Sequence, residues 1–191
     1  MAAGRTRDAP MSGKIAQKSS QALCFLIGAI GREGSEERKH SDLLLNTVVR
    51  HVLEDDEFQY RVKRADEDAD PGMIGSRILV DLVAADLVVA DLTNLNANAF
   101  YELAIRHVSM RPAIHIAKAG TLLPFDNAGN RTVFVDLTDW TSIQQARLHL
   151  ARSARVIREP GYTVTNPISQ AFVALDKSSQ PKIGVKFKGV G

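Results

Sequence analysis

The chain predicts an α/β protein: a flavodoxin-like doubly wound parallel sheet of five strands, in the order 2-1-3-4-5, with helices on both faces. Three observations carry this. Apolar runs of strand length recur along the chain, as in Leu23 to Ile30 (LCFLIGAI) and Leu87 to Ala90 (LVVA). Segments with helical periodicity and capping residues separate them. Strands that alternate with helices imply parallel pairing with helices on both faces, and right-handed crossovers constrain the winding.

The elements follow in order. The run from Leu23 is the first strand, broken by Gly28, Gly31 and Gly34. Ser35 is an N-cap, with Glu36, Glu37 and Arg38 opening a helix whose apolar face (Leu44, Val48, Val52) runs to about Leu53. Phe58 to Val62 alternates and reads as strand two. The acidic turn Asp66 to Asp70 leads through Pro71 to a helix over about 72–84. Strand three is 86–91, and an Asn-rich loop precedes a helix over about 97–110. Strand four starts at Pro112 (PAIHIA). Residues 120–131 form a polar loop, 132–136 strand five, and Asp139 or Thr141 starts a helix to about 157. A turn region at 161–166 leads to a short last helix over 167–176.

Composition narrows the class. A length of 191 residues suits one domain plus tails, and an apolar fraction of 45% suffices for a core. The expected organisation is a disordered leader over 1–20, a domain over 21–176 and a basic flexible tail over 177–191. No apolar run approaches the roughly 20 residues of a membrane helix. The N-terminal stretch lacks the apolar centre of a secretory signal. Cys24 is the only cysteine, which suits a reducing cytoplasm. The leader carries +3 and the tail +4, so a formal net charge of +2 leaves the body at −5. The basic ends read as solvated tails, with contact to a phosphate-bearing partner as the other reading. No basic stripe interleaved with aromatics points to nucleic acid.

In an open parallel sheet, ligands bind at the carboxyl ends of the strands, at the switch point. In this order that point lies between strands one and three. It brings the segment Gly28 to Ser35 beside Asp91, the loop 93–98 and Glu102. A Gly-rich turn into a helix N-terminus presents N–H groups to an anion, and Arg32 adds a charge suited to phosphate. The same glycines also serve a merely tight turn. Asp91 ends an apolar strand, where a carboxylate either points into a cleft or caps the next loop. Glu102, near a helix start, is either a chemical group or a complement to the dipole, with Arg106 four residues on as its ion-pair partner. Asn94, Asn96 and Asn98 exceed what one helix cap requires, and the surplus suits a ribose or a base edge. His107 and His115 have no companion at metal-ligand spacing, so no metal site is expected.

The run Ala85-Asp86-Leu-Val-Val-Ala-Asp91-Leu-Thr93, then Asn96-x-Asn98-Ala-Phe-Tyr101-Glu102-Leu, then Arg111-Pro112-Ala-Ile, resembles the nucleoside 2-deoxyribosyltransferase-like proteins. It is similar also to the related bacterial TIR-like proteins. The likeness spans about residues 23–136. It implies that Glu102 attacks or stabilises the anomeric carbon of a ribosyl group as the base departs. It implies further that the Gly31–Arg32 loop holds a 5′-phosphate, and that Tyr101 and the 93–98 loop line the pocket. Two positions depart from the pattern. Ile78 stands where transferases carry an aspartate, with Asp81 one turn away, and Ala104 replaces a glycine. Both disfavour deoxyribosyl transfer. Hydrolysis needs less help, and TIR-like members split the nicotinamide bond of NAD, whose cationic base leaves without an acid.

The expected function is therefore a cytoplasmic N-glycosidase acting on a nucleoside monophosphate or NAD, with no cofactor beyond NAD as substrate. Its catalytic residues would be Glu102 and Asp91. Gly28, Gly31, Arg32, Ser35, Asn96, Asn98 and Tyr101 would bind substrate. A module that binds a nucleotide signal without turnover, in a regulatory or defence system, is the alternative. The expected partners are a small-molecule nucleotide and further copies of the chain, as a homodimer or larger assembly, without a membrane.

Overall fold

The computed structural model describes residues 21–67, 74–124, 127 and 129–177. The expected leader, the tail from 178 and positions 72–73 of the helix expected over 72–84 lie outside those residues. Five parallel strands form one sheet in the order β2-β1-β3-β4-β5: β1 (Leu23–Ile27), β2 (Arg61–Arg64), β3 (Leu87–Asp91), β4 (Ala113–Lys118) and β5 (Thr132–Val135). This is the flavodoxin-like order that the sequence predicts.

All five residues of β3 are buried, as expected of a central strand covered on both faces. Their side chains alternate. Leu87 and Val89 join Leu26, Ile114, Ile116 and Val133 in one core layer. Above that layer lie α1 (Glu36–Leu43), a π-helical continuation (Leu44–Arg50), the terminal turn α2 (His51–Leu53) and α5 (Trp140–Arg158). Val88 and Ala90 join Phe25, Ile27 and Ala117 in the opposite layer, beneath α3 (Ile74–Ala84) and α4 (Ala97–Val108). The last helix, α6 (Pro167–Lys177), packs on α4.

The π-helical stretch carries polar side chains that bond back to the chain. The Asn46 amide and Thr47 hydroxyl bond back to the carbonyls of Asp42 and Leu43, 2.8 and 2.7 Å away. Side chains that take the i−4 carbonyls compete with the α-helical ladder. Arg147 of α5 then donates to the Thr47 carbonyl at 2.7 Å, tying the widened turn to its neighbour.

Strand two differs most from its expected position. Phe58 to Val62 reads as a strand because its apolar residues alternate, yet pairing begins only at Arg61 and ends at Arg64. Phe58 lies in the turn before it, buried, with the guanidiniums of Arg155 and Arg158 each 5.8 Å from its ring centre. The strand's buried end is a charge. Arg64 is 4% exposed and donates to Ser41, Asp42 and Asp66. An apolar pattern does not reveal a strand residue buried by ion pairing.

A buried charge holds α3, α4 and β4 together. Arg106 of α4 is 0% exposed and has no acidic partner among the described residues. Its Nη1 donates to the carbonyls of Leu82 and Ala85 at 2.8 and 2.9 Å, and its Nε and Nη2 to that of Pro112 at 3.2 and 3.0 Å. Arg111 donates to Val83 and Ala84. Together the two guanidiniums satisfy carbonyls that the end of α3 leaves without intrahelical donors, at the negative end of its dipole. Burial, then the neighbouring charge of Arg111, lowers the Arg106 pKa to about 10, so it stays charged at neutral pH. Arg106→Met should lower the unfolding free energy by about 3 kcal/mol in urea titrations, because it leaves buried carbonyls without donors. Arg106→Lys should recover less than half of that, since one ammonium cannot span both groups of carbonyls.

Candidate functional site

The carboxyl ends of β1 and β3 approach closely because residue 28 has no side chain. A Cβ on Gly28 would lie 2.8 Å from the Cβ of Asp91. Gly31 is constrained from the other side: its φ is +74°, and a Cβ there would lie 2.7 Å from the Arg38 nitrogen and from Ser35 Oγ. The loop thus folds onto the start of α1, where Ser35 Oγ accepts from the Arg38 N–H and donates to the Arg32 carbonyl. The Ser35 hydroxyl serves as the helix cap. Glu36 and Glu37 fill the first turn of α1 and already complement its dipole. Any phosphate recognition in this loop rests on Arg32, which is exposed and has no partner among the described residues.

Asp91 is 4% exposed. One carboxylate oxygen accepts from the Thr93 N–H at 2.9 Å, and the other lies 3.2 Å from His40 Nε2. His40 sits on α1, so this contact joins the first helix to the third strand across the switch point. The sequence reading missed His40. Its signal was positional: a histidine early in the helix after strand one, in a fold that places strands one and three side by side. Arg64 steadies the same turn of α1 through Ser41 and Asp42, and the bonds from Arg64, then Arg38, hold the Asp42 carboxyl below its usual range.

The loop between β3 and α4 is braced by Thr93, whose hydroxyl accepts from the Lys118 N–H at 2.9 Å. It then passes through two non-glycine residues in the left-handed region, Asn94 (φ 60°) and Leu95 (φ 50°). Backbone strain of this kind concentrates at functional sites. Asn96 caps α4 by accepting from the N–H groups of Asn98 and Ala99. Of the amides expected to meet ligand, Asn96 is therefore engaged as a cap, while Asn94 and Asn98 are exposed. Tyr101 is 65% exposed on the outer side of α4.

Glu102 is half-buried and has no hydrogen-bond or ion-pair partner among the described residues. The expected Glu102–Arg106 ion pair does not form, because Arg106 is held by the carbonyls at the end of α3. Burial alone raises the Glu102 carboxyl above its ordinary range. Asp81, by contrast, is neutralised: its carboxylate pairs with Lys63 at 2.5 Å, and Ile78 packs against the apolar layer. Position 102 thus supplies an uncompensated carboxylate, which can stabilise a developing positive charge or act as a nucleophile.

No protein-family model matches the chain, and no curated protein matches it. Among solved structures it is similar to a 2-desoxiribosyltransferase from Leishmania mexicana, at 12% identity and a TM-score of 0.40, over 83% of this chain and 99% of that chain. The likeness is weak, and the fold is established by the sheet order itself. Among the described residues no helix is long and apolar enough to cross a membrane.

The raised pKa of Glu102 has a consequence for stability. A carboxyl whose folded pKa exceeds its unfolded value is least costly when protonated, so its folded state loses stability as pH rises through that pKa. Glu102→Gln should therefore melt at or above the parent temperature at pH 7. That advantage should disappear below about pH 4, where the parent carboxyl is protonated in both states. Differential scanning calorimetry across this range checks it. A lower melting temperature at pH 7 would show that Glu102 is a structural residue.

Proposed function

We propose that the chain is an N-glycosidase that cleaves the base–ribose bond of a nucleotide, with Glu102 as the carboxylate facing the anomeric carbon. The observation that carries this reading is the Glu102 carboxylate, half-buried and without a partner among the described residues, on the helix that follows β3. As the base leaves with the bonding electrons, positive charge develops on the sugar. Glu102 stabilises it or forms a glycosyl ester, which water then hydrolyses with return of the carboxylate. Asp91, held by Thr93 and His40, sets the polar floor of the site. Arg32 takes the phosphate, and Asn98 and Tyr101 contact the remaining nucleotide.

The pairing of Asp81 with Lys63 bears on the substrate. With that acid engaged and Ile78 in place of an aspartate, the described side chains of α3 include no free acid to protonate the leaving base. This favours substrates whose base departs without protonation, of which the cationic nicotinamide of NAD is one, and hydrolysis over deoxyribosyl transfer. The same feature also suits the second reading, a module that binds a nucleotide signal without turnover. The apolar side chains of Leu79, Val80 and Val83, exposed on α3, suit assembly with further copies of the chain.

Chromatography of protein incubated with NAD, nucleoside monophosphates and deoxynucleosides should show free base released by the parent chain. Glu102→Gln should release at least about 100-fold less, on the scale of losses seen when a catalytic group is removed. The parent's rate should rise with pH through the titration of Glu102, above the ordinary glutamate range. Binding without release from any substrate would support the second reading. Arg32→Ala should weaken phosphorylated ligands about tenfold in titrations and leave their nucleosides unchanged. Equal weakening of both would remove the phosphate role.

A further inference from the structure

At the other end of the sheet, where β4 and β5 begin, lies a cavity of about 440 Å³. None of the residues assigned to the candidate site lines it. Its walls come from the starts of both strands, the last turns of α5, and the connector from α5 to α6. A volume of this order accommodates a mononucleotide-sized molecule.

The lining is one-sided in charge. Arg111, Arg131 and Arg152 face the cavity, and no aspartate or glutamate is among the lining residues. Arg111 is engaged by the end of α3 and lies 4.0 Å from the Asp86 carboxylate. Arg131 and Arg152 are exposed and have no partner among the described residues. Two further lining groups are buried and unsatisfied. Among the described residues, neither the Nδ1 of His115, which is 3% exposed, nor the Nδ2 of Asn130 has a hydrogen-bond partner. Buried polar atoms of this kind are normally paired, so both have hydrogen-bonding capacity left for a ligand. The His115 ring lies 5.7 Å from that of His107, and burial, then His107, lowers its pKa to about 4. The ring is thus neutral at pH 7. Asn166 shapes the far wall: it caps α6 through Ser169 and donates to the His107 carbonyl at 3.2 Å. Apolar surface from Val156, Val164 and Tyr162 completes the cavity.

We propose that this cavity binds a small organic phosphate, its anionic head toward Arg131 and Arg152 and its ring or apolar body against Tyr162, Val156 and Val164. Guanidinium forks match phosphate oxygens bidentately, and two unengaged arginines with a third beside them suit a dianion better than a single carboxylate. Asn130 and His115 add hydrogen bonds to the body of the ligand. The inference does not depend on the proposed glycosidase reaction.

Phenyl phosphate, phenol and benzoate, titrated calorimetrically into the full chain, test it. Phenyl phosphate should bind at least tenfold more tightly than phenol or benzoate. Arg131→Gln with Arg152→Gln should weaken it at least tenfold, and both residues are exposed, so folding should survive. Ser153→Phe, which fills the cavity without changing charge, should also abolish binding, whereas Arg32→Ala should leave the affinity within twofold. In the parent chain the His107 and His115 ring signals in NMR spectra should shift on titration. Absence of binding at millimolar ligand would overturn the proposal. So would binding lost in Arg32→Ala and retained in the arginine double variant, which would place the phosphate at the carboxyl ends of β1 and β3.

Discussion

A single buried guanidinium organises the half of the molecule that carries the site. Arg106 is enclosed among the end of α3, the body of α4 and the start of β4, and it bonds carbonyls in place of a carboxylate. Its position has two consequences. Residues 102 and 106 share a face of α4, so pinning one fixes the rotation that aims the other. Because its donors are occupied, Arg106 cannot neutralise Glu102. The unpaired acid thus follows from how the chain satisfies the orphan carbonyls of a neighbouring helix.

The switch point is held by complementary constraints. Gly28 lets the ends of β1 and β3 close up, and His40 bridges α1 to Asp91 across that junction. Arg64, with Ser41, Asp42 and Asp66, anchors the same stretch of α1 to the end of β2. These are polar devices at the rim of an apolar sandwich. They set positions to within a hydrogen-bond length, which apolar packing alone does less sharply. The strained loop through Asn94 and Leu95 is carried on that frame.

The two ends of the sheet differ in charge. The carboxyl end presents Asp91 and Glu102, and the amino end of β4 and β5 presents arginines around a cavity. Acidic groups at the first suit a positive charge, and guanidiniums at the second suit an anion. The separation follows from the winding. The β3–α4 segment delivers its acids where β3 ends, while Arg111 and Arg131 lie just before the strands that follow them.

The apolar runs and their spacing made the parallel sheet and the faces of the helices legible, because burial on both sides leaves a continuous pattern along each central strand; the flavodoxin-like order was a choice among windings, and the structure has it. They also located the carboxyl-end segment from Asp91 to Glu102, since the switch point follows from strand order alone. The cap at Ser35 was legible too, and Asp139 as one of two candidates, because capping is local chemistry, whereas which of Asn94, Asn96 and Asn98 caps α4 was not. Tertiary structure decided what each polar group does. Spacing pairs Glu102 with Arg106, but the end of α3 claims the arginine. Alternation places β2 at Phe58, but charge pairing moves it to Arg64. His40 acquires its partner only when α1 lies over β3, and the cavity at the other end forms only when the α5–α6 connector closes over two strand starts. Each outcome depends on contacts between residues distant in the chain, and these are settled by which buried polar group can find a partner.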